Sequence, residues 1–304
     1  MTTDTHFPAI SPAMARDRFL LRDDTWDNRF RPDFDQFIIS SFEYARPVIK
    51  LPVPTGRTGN HALFLVTGGE VSIRIGHRAY TLTSPELAIV PAMQIFSIEA
   101  IQENTTGYMC FISPERLRTA VGPARFDFLK LTSQPVVSLT SPQTDYIANL
   151  LGRLAAEYYT HGSTRTDLIG PYLLTLMTEI NQAYLGSVPP RISAGDQLVQ
   201  RFMDVLPQRI RQSRAVTAYA DWLNVTPNHL NKVLKARTGR SPSVWIDEHV
   251  VLEAKVLLFQ SDLTVGQIAA ELGFDDQSTF GKLFRKYVQL SPTAFRARHD
   301  QKND

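Results

Sequence analysis

Two short runs of side chains near the C-terminus have the types and spacing to read nucleic-acid bases. Asn228, Asn231, Lys232 and Lys235 recur at i, i+3, i+4 and i+7, one face of a helix whose buried side takes Leu230, Val233 and Leu234. Asn can pair bidentately with adenine, and Lys reaches the acceptors of guanine. Further on, Gln277, Ser278, Lys282, Arg285 and Lys286 form a second such face, with Asp275 and Asp276 ahead of it where acids cap a helix and suit its dipole. A merely solvated face would mix Glu with Lys, and neither run does. Lys235, Arg237, Arg285 and Lys286 are the candidates for phosphate contacts, the sequence-independent part of DNA affinity.

Other chemistry fares less well. A metal-dependent enzyme needs imidazoles and a carboxylate converging on one ion, commonly two His at i and i+2 with an acid nearby. Residues 37–113 offer only His61 and His77, unpaired, and the strand after Pro91 carries Gln94 and Phe96 in place of a His. Both histidines are expected in turns or at the surface. Cys110 lies in an apolar strand run and reads as a buried core thiol. No Gly-rich phosphate loop or Gly-x-Ser-x-Gly elbow occurs, so no catalytic residue, metal or cofactor is assigned. In VSIRIG, Val71, Ile73 and Ile75 share one face and Arg74 takes the other. Arg74 therefore either lines a cavity, where it would pair with an anionic metabolite, or sits on the wet face.

The elements that must carry the two basic faces are duplicated. Val216, Tyr219, Ala220, Leu223 and Val225 match Val265, Ile268, Ala269, Leu272 and Phe274 at an offset of 49, and Leu230, Leu234, Ser241 and Pro242 match Phe280, Phe284, Ser291 and Pro292 at an offset of 50. Each copy reads as helix, short turn, helix, with a small Ala where the two helices cross, and the second turn is one residue longer. That is helix-turn-helix grammar. Helical hairpins without DNA function also repeat, so the duplication alone leaves an architectural role open. Between the copies, residues 244–260 keep a helical pattern, a rod about 25 Å long at 1.5 Å per residue. Such a rod could hold two reading helices about one turn of B-DNA apart.

Upstream, residues 37–113 run as short alternating or β-branched segments (FIISSF, HALFLVT, VSIRIG, RAYTLTS, LAIVPA, IFSIEA, TTGYMCFIS) punctuated by Gly68-Gly69, Gly76-His77 and Ser84-Pro85. Their spacing predicts an antiparallel barrel or sandwich. Two amphipathic helices follow, one behind Ser141-Pro142 through Ile147, Leu151 and Tyr158, the other with Pro171 near its first turn, through Leu173 and Ile180 to Gly186. They either cover the barrel or pair with a copy of themselves, and the stripes at 150–158 and 173–184 are the expected dimer contact. The fold class is therefore multidomain α+β. Residues 1–30 form an N-terminal arm, 31–185 a β-domain with helices, 186–195 a Gly/Pro/Ser linker and 196–304 an all-α domain.

Length and charge fit this division. The 304 residues suit two domains, and the net charge of +2 conceals an uneven split: residues 1–195 hold 17 Lys and Arg against 18 acids, and residues 196–304 hold 15 against 12. The all-α part thus carries +3, a modest bias toward an anionic partner. One cysteine excludes a disulfide scaffold and points to a reducing cytoplasm. No apolar run approaches the roughly 18 residues of a membrane span, and the N-terminus lacks the pattern of a signal peptide.

The stretches VTAYADWLNVTPNHLNKVLKARTGRSPSVWI, EAKVLL, TVGQIAAELGFDDQSTFGKLFRKY and LSPTAFR resemble the DNA-binding domain of AraC/XylS-type bacterial transcription regulators. The resemblance implies seven helices with two helix-turn-helix units in successive major-groove segments of promoter DNA, and activation through RNA polymerase. Carried over by position, it implies base contacts from Asn228, Asn231 and Lys232, then from Gln277, Ser278 and Lys282. The sequence departs from the family at Val250, where an Arg is common, at Gln289 in place of Gly, and at Gly281 inside the second reading helix. VTGGEVSIRIGHRAYTLTSPELAIVPAM resembles the family's cupin-like sensor domain, which implies a small-molecule effector and a homodimer. A cupin-type metal-dependent enzyme or a DNA-associated adaptor are the alternative functions.

Overall fold

The computed structural model describes residues 35–122, 126–131, 133–162, 164–187 and 193–300, together with Ala9 and Leu20. It divides into two compact units, residues 9–188 and 189–304. The expected arm lies outside the described residues apart from Ala9 and Leu20, as does the middle of the expected linker.

The first unit is a two-layer sandwich flanked by helices. Strands β1 (Phe37–Ser41), β2 (Val53–Arg57), β3 (His61–Gly68), β4 (Glu70–Ile75), β5 (Arg78–Thr83), β6 (Glu86–Val90), β7 (Ile95–Ile101), β8 (Thr106–Ile112) and β9 (Val136–Ser138) form a five-stranded sheet, β1-β8-β3-β6-β9, and a four-stranded sheet, β2-β7-β4-β5, with every pairing antiparallel. Of the two expected forms it is the sandwich, and β2, whose sequence VPTGR carries a Pro and a Gly in place of an apolar alternation, and the three-residue β9 are additions to the expected strands. Alternation explains the layering. Ala62, Phe64, Val66 and Met109 turn toward Val71, Ile73, Ile75 and Leu82 of the other sheet. Leu63, Leu65, Ile89, Cys110 and Ile112 turn the other way, toward helices.

Those helices include α2 (Pro114–Val121), α3 (Ser141–His161) and α4 (Thr166–Ser187), while the short α1 (Phe42–Ala45) buries Phe42 and Ala45 in the cluster between the sheets. Helix α3 starts where Ser141-Pro142 predicts, with a Thr140–Gln143 capping box. Helix α4 begins at Thr166, so that Pro171 falls inside it. Its stripe Ile169, Leu173, Leu176 and Ile180 is fully buried together with Ile147, Leu151 and Leu154 of α3 on the five-stranded sheet. This corrects the expected dimer contact: Leu173 and Ile180 belong to the chain's own core, where burial of each side chain is worth about 1.5–3 kcal/mol.

Two polar expectations are also corrected or decided here. His61 is half-buried and lies in a strand, not in a turn or fully exposed. It opens β3, its Nδ1 accepts the Ala92 N–H at 3.0 Å, and burial pulls its pKa down to about 4. Arg74 takes the outer face of β4, where it pairs with Glu99 at 3.3 Å, and the inward positions are the apolar Val71, Ile73 and Ile75. Arg74 therefore does not line the space between the sheets. Cys110 is fully buried, which pushes its thiol pKa up.

The second unit is all-helical: α5 (Ala194–Arg209), α6 (Val216–Trp222), α7 (Pro227–Thr238), α8 (Pro242–Gln260), α9 (Val265–Glu271), α10 (Gln277–Val288) and α11 (Pro292–Asp300). One apolar cluster runs from Leu198 and Phe202 through Tyr219, Leu230 and Leu234 to Ile268, Phe280, Phe284 and Phe295. Helix α8 is buried nearly all round, from Trp245 to Phe259, so the rod between the copies is the centre of this core. Val250, at 0% exposure, replaces a charge that this position could not bury without a partner.

Candidate nucleic-acid interface

Each second-unit repeat folds by the same local chemistry. Ala220 and Ala269 are buried where paired helices cross, and a larger side chain at either would overpack by about 1–3 kcal/mol. The turn after the first helix is held by Val225 N–H to the Ala220 carbonyl at 3.0 Å, and by Phe274 N–H to the Ala269 carbonyl at 2.9 Å. Both turns need one residue at positive φ, supplied by Asn224 (55°) and Gly273 (74°). Thr226 then caps α7 through the His229 N–H, and Asp276 caps α10 through the Thr279 N–H. The extra residue of the second turn, Asp275, precedes its cap. Each unit closes alike as well: Gly239 and Gln289 end the reading helices in the left-handed conformation, and Ser241 and Ser291 cap α8 and α11.

The exposed faces follow from the buried pairs. Leu230 and Leu234 are both at 0% exposure, so the residue midway between them, Lys232, points directly away from the core. Asn228, His229, Lys235 and Ala236 flank it and are exposed, while Asn231 is half-buried at the margin. In α10 the buried pair is Phe280 and Phe284, which aims Lys282 outward between Ser278, Thr279, Arg285 and Lys286. Gln277 is exposed at the first position of α10, its Oε1 close over Gly266 of α9. Gly281 matches Asn231 and stands at the margin of its face. His229 and Thr279 were not singled out from the sequence, although subtracting the buried pair from the helix would have exposed both. Thr279 is partly occupied, its Oγ1 donating to Asp276 Oδ2 at 2.7 Å, and this cap holds the Asp276 carboxyl below its ordinary range.

Arg237 departs from the other phosphate candidates. It lies on the core side of α7 and approaches Asp196 of α5, Nε to Oδ1 at 3.7 Å. Arg211 pairs with Glu271 and Arg240 with Glu248. Arg201 and Arg214 donate to the turn carbonyls of Leu223 and Gly273, and Arg296 donates to those of Leu258 and Leu263. Lys232, Lys235, Lys282 and Arg285, by contrast, make no ion pair within 4 Å among the described residues. Lys286 lies 5.1 Å from the Tyr287 ring centroid and acts on Asp247, whose carboxyl pKa burial raises. Unpaired cations are thus concentrated on the two second-helix faces, a distribution that suits a polyanion.

Comparisons with known proteins agree with the second unit. Residues 219–298 match a family model described as a helix-turn-helix domain. The lactose operon transcription activator of Staphylococcus xylosus is 20% identical over 235 residues, 77% of this chain and 82% of the relative. The arabinose operon regulatory protein of Escherichia coli (strain K12) is 26% identical over 137 residues, 45% of this chain and 44% of the relative. Among solved structures, unsaturated fatty acid bound ToxT from Vibrio cholerae strain SCE256 is 13% identical, covering 86% of this chain and 94% of that one with a TM-score of 0.44. The matched relatives are transcription regulators, not enzymes, which sets the metal-dependent enzyme alternative aside. With its duplicated turn, matched caps and two cationic second helices, the second unit is a helix-turn-helix domain, and the chain is similar to transcription regulators of the AraC type.

Proposed function

We propose that the protein binds a promoter as a homodimer and activates transcription there through RNA polymerase, in the cytoplasm, with a small molecule acting on the β-domain. In this reading residues 196–304 contact DNA, 31–185 sense and dimerise, 186–195 tether the two and 1–30 form an arm. Asn228, Asn231 and Lys232 of α7, and Gln277, Ser278 and Lys282 of α10, contact bases. Lys235, Arg285 and Lys286 contact phosphates. Arg237, engaged with Asp196, serves the packing of α5 against α7. The observation that carries the reading is the contrast between the unpaired cations of the two reading faces and the engaged arginines elsewhere in the unit. The activating sense is supported by relatives named as activators, the lactose operon protein and RhaR of Escherichia coli.

The dimer contact moves to the outer face of α4. Pro171, Leu174, Thr178, Gln182 and Leu185 recur there at heptad-like spacing without a charged side chain, and Leu174 and Leu185 are 41% and 54% exposed. Sedimentation of Leu174→Glu/Leu185→Glu should give folded monomer, and a surviving dimer would place the contact elsewhere. For the DNA reading, the intact protein should select duplexes from a random library and release them as salt rises. Failure to retain any duplex at about 50 mM salt, where phosphate contacts are strong, would contradict it.

A further inference from the structure

The two reading units share a core, yet apolar packing is non-directional and resists separation better than it resists sliding. Directional contacts between the units come from the segment joining α5 to α6, residues 210–215. Arg211, 17% exposed, places Nη1 3.0 Å from Glu271 Oε2, at the end of α9. Three residues on, Arg214 donates from Nη2 to the Gly273 carbonyl at 2.8 Å, inside the second turn. Its guanidinium also stacks 3.6 Å from the centroid of Phe274. The same charge acts on Asp247 of α8, whose carboxyl bonds to Tyr287 of α10. Arg214 immediately precedes Ala215, the N-cap residue of α6. Any shift of Gly273 relative to Arg214 is therefore a shift of the second unit relative to the first. A planar guanidinium that bonds and stacks at once fixes direction as well as distance.

We propose that Arg211 and Arg214 are positioning residues that set the spacing of the two reading helices, and thereby the separation between half-sites that the protein accepts. The inference rests on the reading of α7 and α10 as DNA-facing, although the spacing itself can be measured without DNA. Spin labels at Asn228→Cys and Ser278→Cys report the separation of the two helices in the full chain, where buried Cys110 stays unlabelled. A narrow distance distribution is expected, broadening in Arg211→Ala/Arg214→Ala. On a duplex selected by the wild type, inserting or deleting one base pair between the half-sites shifts one by about 3.4 Å along the axis. Wild type should lose roughly tenfold in affinity on either altered duplex, the scale of one lost base contact. The double variant should lose less than about threefold relative to its own affinity for the selected duplex, and Arg214→Lys, which keeps the charge and a donor, should recover part of the preference. If the double variant fails to fold, Arg214→Gln, which keeps the length without the charge, replaces it with the same expectation. An unchanged distance distribution, or equal loss on all three duplexes, would overturn the proposal. If wild type selects no duplex, it is the DNA reading that fails, and the label distances still decide whether the arginines hold the spacing.

Discussion

The two helix-turn-helix units are built on one plan and carry different chemistry. Their buried positions correspond one for one: Ala220 with Ala269, Leu223 with Leu272, Leu230 with Phe280 and Leu234 with Phe284, and their turns close with the same hydrogen bond. Their faces correspond only in part: Lys232 matches Lys282 and Lys235 matches Arg285, while the positions around them differ. Helix α7 presents Asn228, His229 and Lys232, with Asn231 at the margin, and α10 presents Ser278, Thr279 and Lys282, with Gly281 at that margin. Arg285 and Lys286 stand where α7 has Lys235 and Ala236. A repeated core thus restrains the scaffold and leaves the outward side chains free to diverge, one toward amides, a type suited to base edges, the other toward additional cations, a type suited to phosphates.

The largest expected effect breaks the symmetry directly. On a selected duplex scanned base by base, Asn228→Ala and Asn231→Ala should each cost about 1–3 kcal/mol and relax discrimination in the half facing α7. Ser278→Ala should cost less, because a hydroxyl discriminates weakly and Gly281 offers nothing beside it. Equal sensitivity of the two halves would remove the inequality. A smaller effect lies at the helix ends. Gln289 holds φ +62° where the first unit has Gly239 at +73°. A side chain in that region is strained, so Gln289→Gly should stabilise by about 1 kcal/mol, less whatever the Gln289 Nε2 bond to the Lys286 carbonyl contributes. Thermal unfolding at several denaturant concentrations reads this, and a lower melting temperature would mean that the side-chain bond outweighs the strain.

The smallest effect is in the caps. Asp276 is held below its ordinary pKa by its bonds to the Thr279 side chain and N–H, so its contribution is present above the unfolded carboxylate value near 3.8 and is lost as pH falls through the folded value. Thr226, its counterpart, does not titrate. Asp276→Thr should therefore gain on the wild type as pH drops below about 4, measured as the difference in melting temperature. A difference that stays flat across that range would show that the cap does not act through charge.

Much of this was legible in the sequence because each part rests on local pattern. The 49- and 50-residue offsets gave the two units and the longer second turn, and Ser141-Pro142 gave the start of α3. The features that escaped depend on partners distant in the chain. Arg237 looked like a phosphate contact by type, and only the approach of Asp196 and the direction of Leu230 and Leu234 turn it to the core side. Leu173 and Ile180 looked like surplus apolar surface because the width of the five-stranded sheet, completed by β9, cannot be read from helix periodicity. His61 was misplaced and Arg74 left open for the same reason: a strand's alternation separates two faces without saying which one another layer will cover.

Salt dependence of DNA binding tests most directly the claim that the second unit holds DNA through α7 and α10. With full-length protein on its selected duplex, log K should fall linearly with log salt, and Lys235→Ala, Arg285→Ala and Lys286→Ala should each flatten the slope by about 0.9. Arg240→Ala, which removes the partner of Glu248 off both faces, should leave the slope unchanged. If the three face variants keep the wild-type slope, or if Arg240→Ala flattens it as much as they do, the cationic faces are not where the phosphates lie.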